Sequence, residues 1–204
     1  HIINVTAKIE NALMVKPPAV EFGTVFPEEF LVRPLEIWMS ESFEEEPDAD
    51  DVEYVIKQKP KCVAPDGRHV PVETDPQGVH QCPEGTKEMP LLCPYLSKHD
   101  GDPEDRNDDP GVDPFHSLGV LINGRLAKSD LLDPSGNPQD PNNQDRHDLW
   151  LIDLLVPCFR GQCAQDNVVP EEWQLDPQLE SEIFGCDLWI EVEEISRFSD
   201  QGGE

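Results

Sequence analysis

The residues of this sequence that could do chemistry are six cysteines, six histidines and two dense runs of carboxylates. The cysteines are Cys62, Cys82, Cys93, Cys158, Cys163 and Cys186. None forms C-x-x-C, and no pair is followed by histidine at zinc-finger spacing, so their pattern does not point to structural zinc. An even number in a loop-rich, acidic chain points to disulfides and so to an oxidising, extracytoplasmic compartment. The histidines (His1, His69, His80, His99, His116, His147) fall in expected loops or at the terminus, and none pairs at helical spacing. The sequence holds no H-E-x-x-H, no G-x-S-x-G elbow and no phosphate-binding G-x-x-x-x-G-K-[ST] loop, so an enzyme is not expected.

The carboxylates support one conditional chemistry. Residues 99–113 read HDGDPEDRNDDPGVD. Calcium takes six to eight oxygen ligands, which Asp/Asn-rich loops supply. Asp100, Asp102, Asp105 and Asp108 are therefore candidate calcium ligands, weighed against plain solvated turns. The EF-hand order fails, because Glu104-Asp105-Arg106 stands where the loop glycine should follow. No other cofactor is expected. The second run, residues 41–53 (ESFEEEPDADDVE), reads as a solvated acidic loop. Asn4-Val5-Thr6 is a glycosylation sequon, a low-specificity match.

The elements that must position these residues read as strands. In residues 1–15, Ile3, Val5, Ala7 and Ile9 alternate with Asn4, Thr6 and Lys8, and the apolar character runs to Val15 before Pro17-Pro18. Val20–Pro27 reads as a short strand. Leu31–Ser40 reads as another, with Leu35, Ile37 and Met39 on one face and Trp38 on the other. Val52, Tyr54 and Ile56 mark a strand ending before Pro60. Asn123-Gly124, flanked by apolar residues, is the signature of a tight hairpin. Leu149–Val156 is nearly all apolar, which predicts cover on both faces. Asp187–Ile195 closes the series, with Leu188, Ile190 and Val192 inward and Trp189 outward. Asp176, Pro177 and Gly185 bracket the one short helix expected, over Gln178–Phe184.

The 21 prolines argue against long helices. The fold expected is all-β, a jelly-roll-like β-sandwich with long, disulfide-stapled loops and at most one short helix. Residues 1–15 form an N-terminal strand and 16–204 a single domain with loop insertions at about 60–117 and 133–148. Of the fifteen possible cysteine connectivities, proximity favours Cys82–Cys93 and Cys163–Cys186, leaving Cys62–Cys158.

Charge removes further options. The chain carries 43 Asp+Glu against 15 Lys+Arg, a net −28. Phosphate backbones need basic stripes, so nucleic acid is not an expected partner. No apolar run reaches the ~18–20 residues of a membrane span. The start at His1 fits removal of a signal peptide, and the expected location is extracellular or at the cell surface.

Several ordered landmarks carry a family resemblance. They are NVTAKIENALMV, VEFGTVFPEE, DDVEYVIKQKP, CPYLSKHDGDPED, GRLAKSD, LWLIDLLVPC and GCDLWIEVEEI. Together they resemble the secreted TasA/camelysin-like fibre-forming family and its archaeal bundling-pilus relatives, most clearly over residues 1–60 and 149–195. The resemblance implies a jelly-roll sandwich whose N-terminal strand completes the sheet of the next subunit in an extracellular fibre supporting biofilm or cell contacts. The family's P-G-D/E turn is here Pro27-Glu28-Glu29, so the glycine of that turn is absent and the φ > 0 position it would serve must be met otherwise. Camelysin-type proteolysis is not carried over, since no catalytic set is present.

Two functions follow. The first is a filament subunit that polymerises head-to-tail through Ile3, Val5, Ala7 and Ile9, its partner being a second copy of itself. Head-to-tail contacts that do not close give open filaments. The second is a monomeric secreted binding or adhesion module with calcium-stiffened loops. On the first reading the negative charge is a coat on the outside of a fibre.

Overall fold

The structure is a computed structural model and describes residues 7–101, 111–164 and 169–198. In chain order, β1 is Leu13–Lys16 and β2 Phe30–Met39; a single short helix, α1, spans Glu41–Glu45 before β3, Ala49–Lys59. Five two-residue strands follow: β4 (Cys62–Val63), β5 (His69–Val70), β6 (Glu73–Thr74), β7 (His80–Gln81) and β8 (Lys87–Glu88). The remaining strands are β9 (Leu96–Asp100), β10 (Ile122–Leu131), β11 (Gln144–Asp145), β12 (His147–Leu155) and β13 (Asp187–Arg197).

Eight strands make two four-stranded antiparallel sheets, ordered β1-β2-β12-β9 and β11-β10-β3-β13. This is the all-β sandwich the sequence predicts. Successive long strands (β2, β3, β9, β10, β12, β13) alternate between the sheets, as in jelly-roll-like connectivity. The core lies where the inward rows meet. Leu35, Ile37 and Met39 of β2 face Val52, Tyr54 and Ile56 of β3, with Ile122 and Leu126 of β10 and Trp150, Ile152 and Leu154 of β12. These are the rows that period-2 alternation picks out.

Several local expectations are corrected. Asn123-Gly124 is not a hairpin turn but lies inside β10, paired with Val55 and Tyr54 of β3. Its glycine serves close approach, because a Cβ at 124 would overlap the Tyr54 ring. The acidic stretch 41–53 is not a loop. Ser40 caps α1, its side chain accepting from the Phe43 N–H, and Phe43 is buried. The chain then enters β3 at Ala49. Acids in the first helical turn suit the helix dipole. The helix expected over Gln178–Phe184 is a single 3-10 turn, Pro177–Leu179, although Asp176 caps it as predicted. Ser181 has φ 68°, which stops continuation. Val20–Phe26 is not a strand: Gly23 has φ 74°, and Val20, Phe22 and Val25 lean on the core without a ladder. Leu96–Asp100, read as part of a long insertion, is a core strand.

The disulfides pair differently from the proximity expectation. They are Cys62–Cys82, Cys93–Cys186 and Cys158–Cys163. The first closes the small sheets within residues 60–90, and the third closes a tight loop of four residues between Cys158 and Cys163. The second ties the chain just before β9 to the residue preceding β13, so β13 lies above the β9 edge of the facing sheet.

Candidate functional site

The N-terminal strand proposed from sequence divides in two. Leu13–Lys16 is β1, paired with Met39–Glu36 at the edge of its own sheet. The Ser40 N–H donates to Ala12 O at 2.8 Å and the Ser40 hydroxyl to Asn11 O at 2.7 Å, which fixes where the chain enters the fold. Before that point the described residues Ala7–Asn11 are exposed and belong to no strand. Ile9 is 93% exposed. Lys8 pairs with Glu10, which raises the lysine pKa and lowers the carboxylate's. Of the sequence-predicted row, Ala7 and Ile9 are thus free of the sandwich, while Ile3 and Val5, with the sequon Asn4, lie outside the described residues.

At the far side of the molecule β13 runs eleven residues along β3, with no strand on its other side among the described residues. Its register is Leu188 opposite Gln58, Ile190 opposite Ile56, Val192 opposite Tyr54 and, past a bulge, Ile195 opposite Val52. Directly opposed residues share a face, so Val192 and Ile195 point toward the interior. Yet Val192 is 43% exposed, Ile195 48% and the following Phe198 46%. Inward direction was legible in the sequence; the lack of cover over it was not, because cover depends on where the facing sheet stops. On the outward face, Lys57 and Lys59 both bond Glu191, holding its carboxyl below the usual range, and Lys59 Nζ lies 3.5 Å from the Trp189 ring centroid.

Polar groups buried inside the sandwich are structural in placement. The Tyr54 hydroxyl bonds Asp148 and accepts from Trp150 Nε1 at 2.8 Å, joining the sheets through the core. Lys98 points inward opposite Ile152 and is 1% exposed; burial pushes its amine down to about 7. His116, whose Nε2 meets Gln58 Oε1 at 2.9 Å, is pushed down by burial and by the Lys98 charge. Ser97, His99 and Asp153 share one outer face, but Ser97 bonds the Asp153 carboxylate itself and His99 Nε2 stands 3.8 Å from it. A nucleophile needs its base in hydrogen-bond reach, and here the serine is spent on the acid.

Among the described residues no group of three or more His, Cys, Asp or Glu side chains is placed to hold a metal ion. Of the candidate calcium ligands, Asp100 ends β9 and is half-buried, while Asp102, Asp105 and Asp108 lie outside the described residues. No described helix is long and apolar enough to cross a membrane. The three disulfides fit an oxidising, extracellular setting. No protein-family model, curated protein or solved structure matches the chain.

Proposed function

We propose that this chain is a structural subunit of an extracellular filament, polymerising head-to-tail by donation of its N-terminal segment to the next copy. The observation that carries this reading is the exposed stretch Ala7–Asn11, which precedes an N-terminal strand already complete at Leu13. A segment whose sequence alternates Ile3, Val5, Ala7 and Ile9 has the pattern of a half-buried strand. Strand addition satisfies its backbone groups and covers its apolar row at once. Burying three or four such side chains contributes roughly 1.5–3 kcal/mol each before ordering costs. Disulfides suit a fibre that must persist outside the cell, and the excess negative charge coats it.

Deleting residues 1–10 tests the reading. Filaments of the full chain are expected by electron microscopy, and the truncated chain should remain a folded monomer, since Ser40 anchors the chain only from Asn11 onward. Continued polymerisation of the truncated chain would overturn donation by this segment.

A further inference from the structure

We infer that the free edge of β13 is the surface that accepts residues 1–11 of a second copy of this chain. The inference rests on the filament reading above and adds its missing half, the acceptor. An edge strand presents unpaired N–H and C=O groups, and proteins ordinarily shorten, cover or distort such edges. β1 follows that rule at four residues, whereas β13 keeps eleven. Its inward row Val192 and Ile195 is apolar, aimed at the interior and only about half covered, with the half-exposed Phe198 just beyond. An added strand would hydrogen-bond the edge and lay its own apolar row over these three side chains.

Charge complementarity points to the occupant. β13 carries Asp187, Glu191, Glu193 and Glu194 against Arg197; His69 engages Asp187, and Lys57 and Lys59 engage Glu191. That leaves Glu193 and Glu194, both exposed, facing whatever docks there. In a chain of net −28, residues 1–11 (HIINVTAKIEN) carry one acid, Glu10, which pairs with Lys8, so the segment brings no excess negative charge to the edge. Most other stretches of a second copy would bring repulsion.

A crossing to β13 within one molecule would use about five of the segment's eleven residues at ~3.3–3.6 Å each, so a second copy is the better-matched occupant. The segment enters the fold at Ala12, beside β1. β1 and β9 are opposite edges of one sheet, and the Cys93–Cys186 bond sets β13 beside the β9 edge. The donor root and the acceptor therefore stand about three strand spacings apart, roughly 14 Å, on opposite flanks. Donation from one flank to the other of the next copy repeats without closing, which is the condition for a filament.

The test uses the full chain, the Δ1–10 chain and a synthetic peptide of residues 1–12. Val192→Lys with Ile195→Lys in the full chain is expected to abolish filaments with the segment intact. Both sites are about half exposed at a sheet edge, so the fold should hold, which circular dichroism verifies. The peptide should bind the Δ1–10 chain and slow amide hydrogen exchange within 187–197, a measurement that needs no substituted protein. Loss of filaments on truncation, together with their survival in the double lysine variant, would overturn the β13 assignment and leave donation standing. Absence of peptide binding, or protection of another edge instead, would overturn it too. Filaments formed by the Δ1–10 chain would instead sink the filament reading on which this one rests.

Discussion

β3 and β13 are neighbours of equal length, paired over most of their residues, and they stand in opposite relations to water. β3 buries residues on both faces: Val52, Tyr54 and Ile56 inward, Val55 outward and Gln58 near its end. β13 has no buried residue at all. Pairing is shared, so hydrogen bonding does not separate them. What separates them is a second neighbour, since β3 lies between β10 and β13 while, among the described residues, β13 pairs with β3 alone. The apolar side chains of β3 hold the monomer together; those of β13 near Val192 and Ile195 do little for it. Apolar residues that contribute little to their own fold are the ones free to serve contact with another molecule.

The largest expected difference is at the middle of the pair. Ile56→Ala opens a cavity where the side chain is fully buried and should cost about 2–5 kcal/mol by denaturant unfolding. A loss near 1 kcal/mol would mean that β3 is not the centre of the sandwich.

Gly124→Ala probes β3 from its other side. The added methyl overlaps the Tyr54 ring and must displace the hydroxyl from Asp148 and Trp150. Overpacking of this kind costs about 1–3 kcal/mol. A hairpin-like Asn-Gly turn would be nearly as sensitive to alanine, so the discriminating variant is Asn123→Thr. A turn position with φ > 0 rejects threonine, whereas an exposed strand position should tolerate it.

Lys98 gives a pH test of the interior shared by β9 and β3. Its folded-state pKa, about 7, lies below the ordinary lysine value of 10.5 because burial penalises the charge. The unfolded chain therefore binds more protons than the folded one between those values, and stability should rise as pH increases through that window. Below about pH 7 the penalty is carried in full. Lys98→Met should raise Tm at pH 7 and flatten the rise between pH 7 and 10. An unchanged slope would show that the amine is solvated. The smallest effect belongs to β13: Ile195→Ala in the Δ1–10 monomer should change stability by no more than about 0.5 kcal/mol, as exposed positions do.

What the sequence shows of this molecule follows the same division. Alternation in Leu35–Met39, Val52–Ile56 and Leu188–Val192 reports which way side chains point, because a strand's period is local. It does not report whether anything lies opposite, so Val192 was legible as inward and not as uncovered. Asn123-Gly124 misleads because glycine has two uses, left-handed turns and close approach, and only the partner, Tyr54, distinguishes them. The acids of 41–46 conceal α1, since the signal lies in Ser40 and the lone buried Phe43 rather than in charge. Proximity along the chain failed for Cys93 and Cys186, 93 residues apart, because the sandwich brings the starts of β9 and β13 together. At Pro27-Glu28-Glu29, where the glycine of the resembled family's turn is absent, Glu28 itself adopts a φ of 70°. The alternation of Ile3, Val5, Ala7 and Ile9 was legible in the sequence; the place of β13 at a sheet edge required the sheet order.

Hydrogen exchange on assembled filaments tests the account most directly. In the Δ1–10 monomer, amides of β3 should exchange slowly, while those β13 amides not bonded to β3 should exchange fast. In filaments of the full chain the account predicts that 187–197 becomes as protected as β3, with little change elsewhere in the sandwich. Filaments in which β13 exchanges as fast as in the monomer would contradict it.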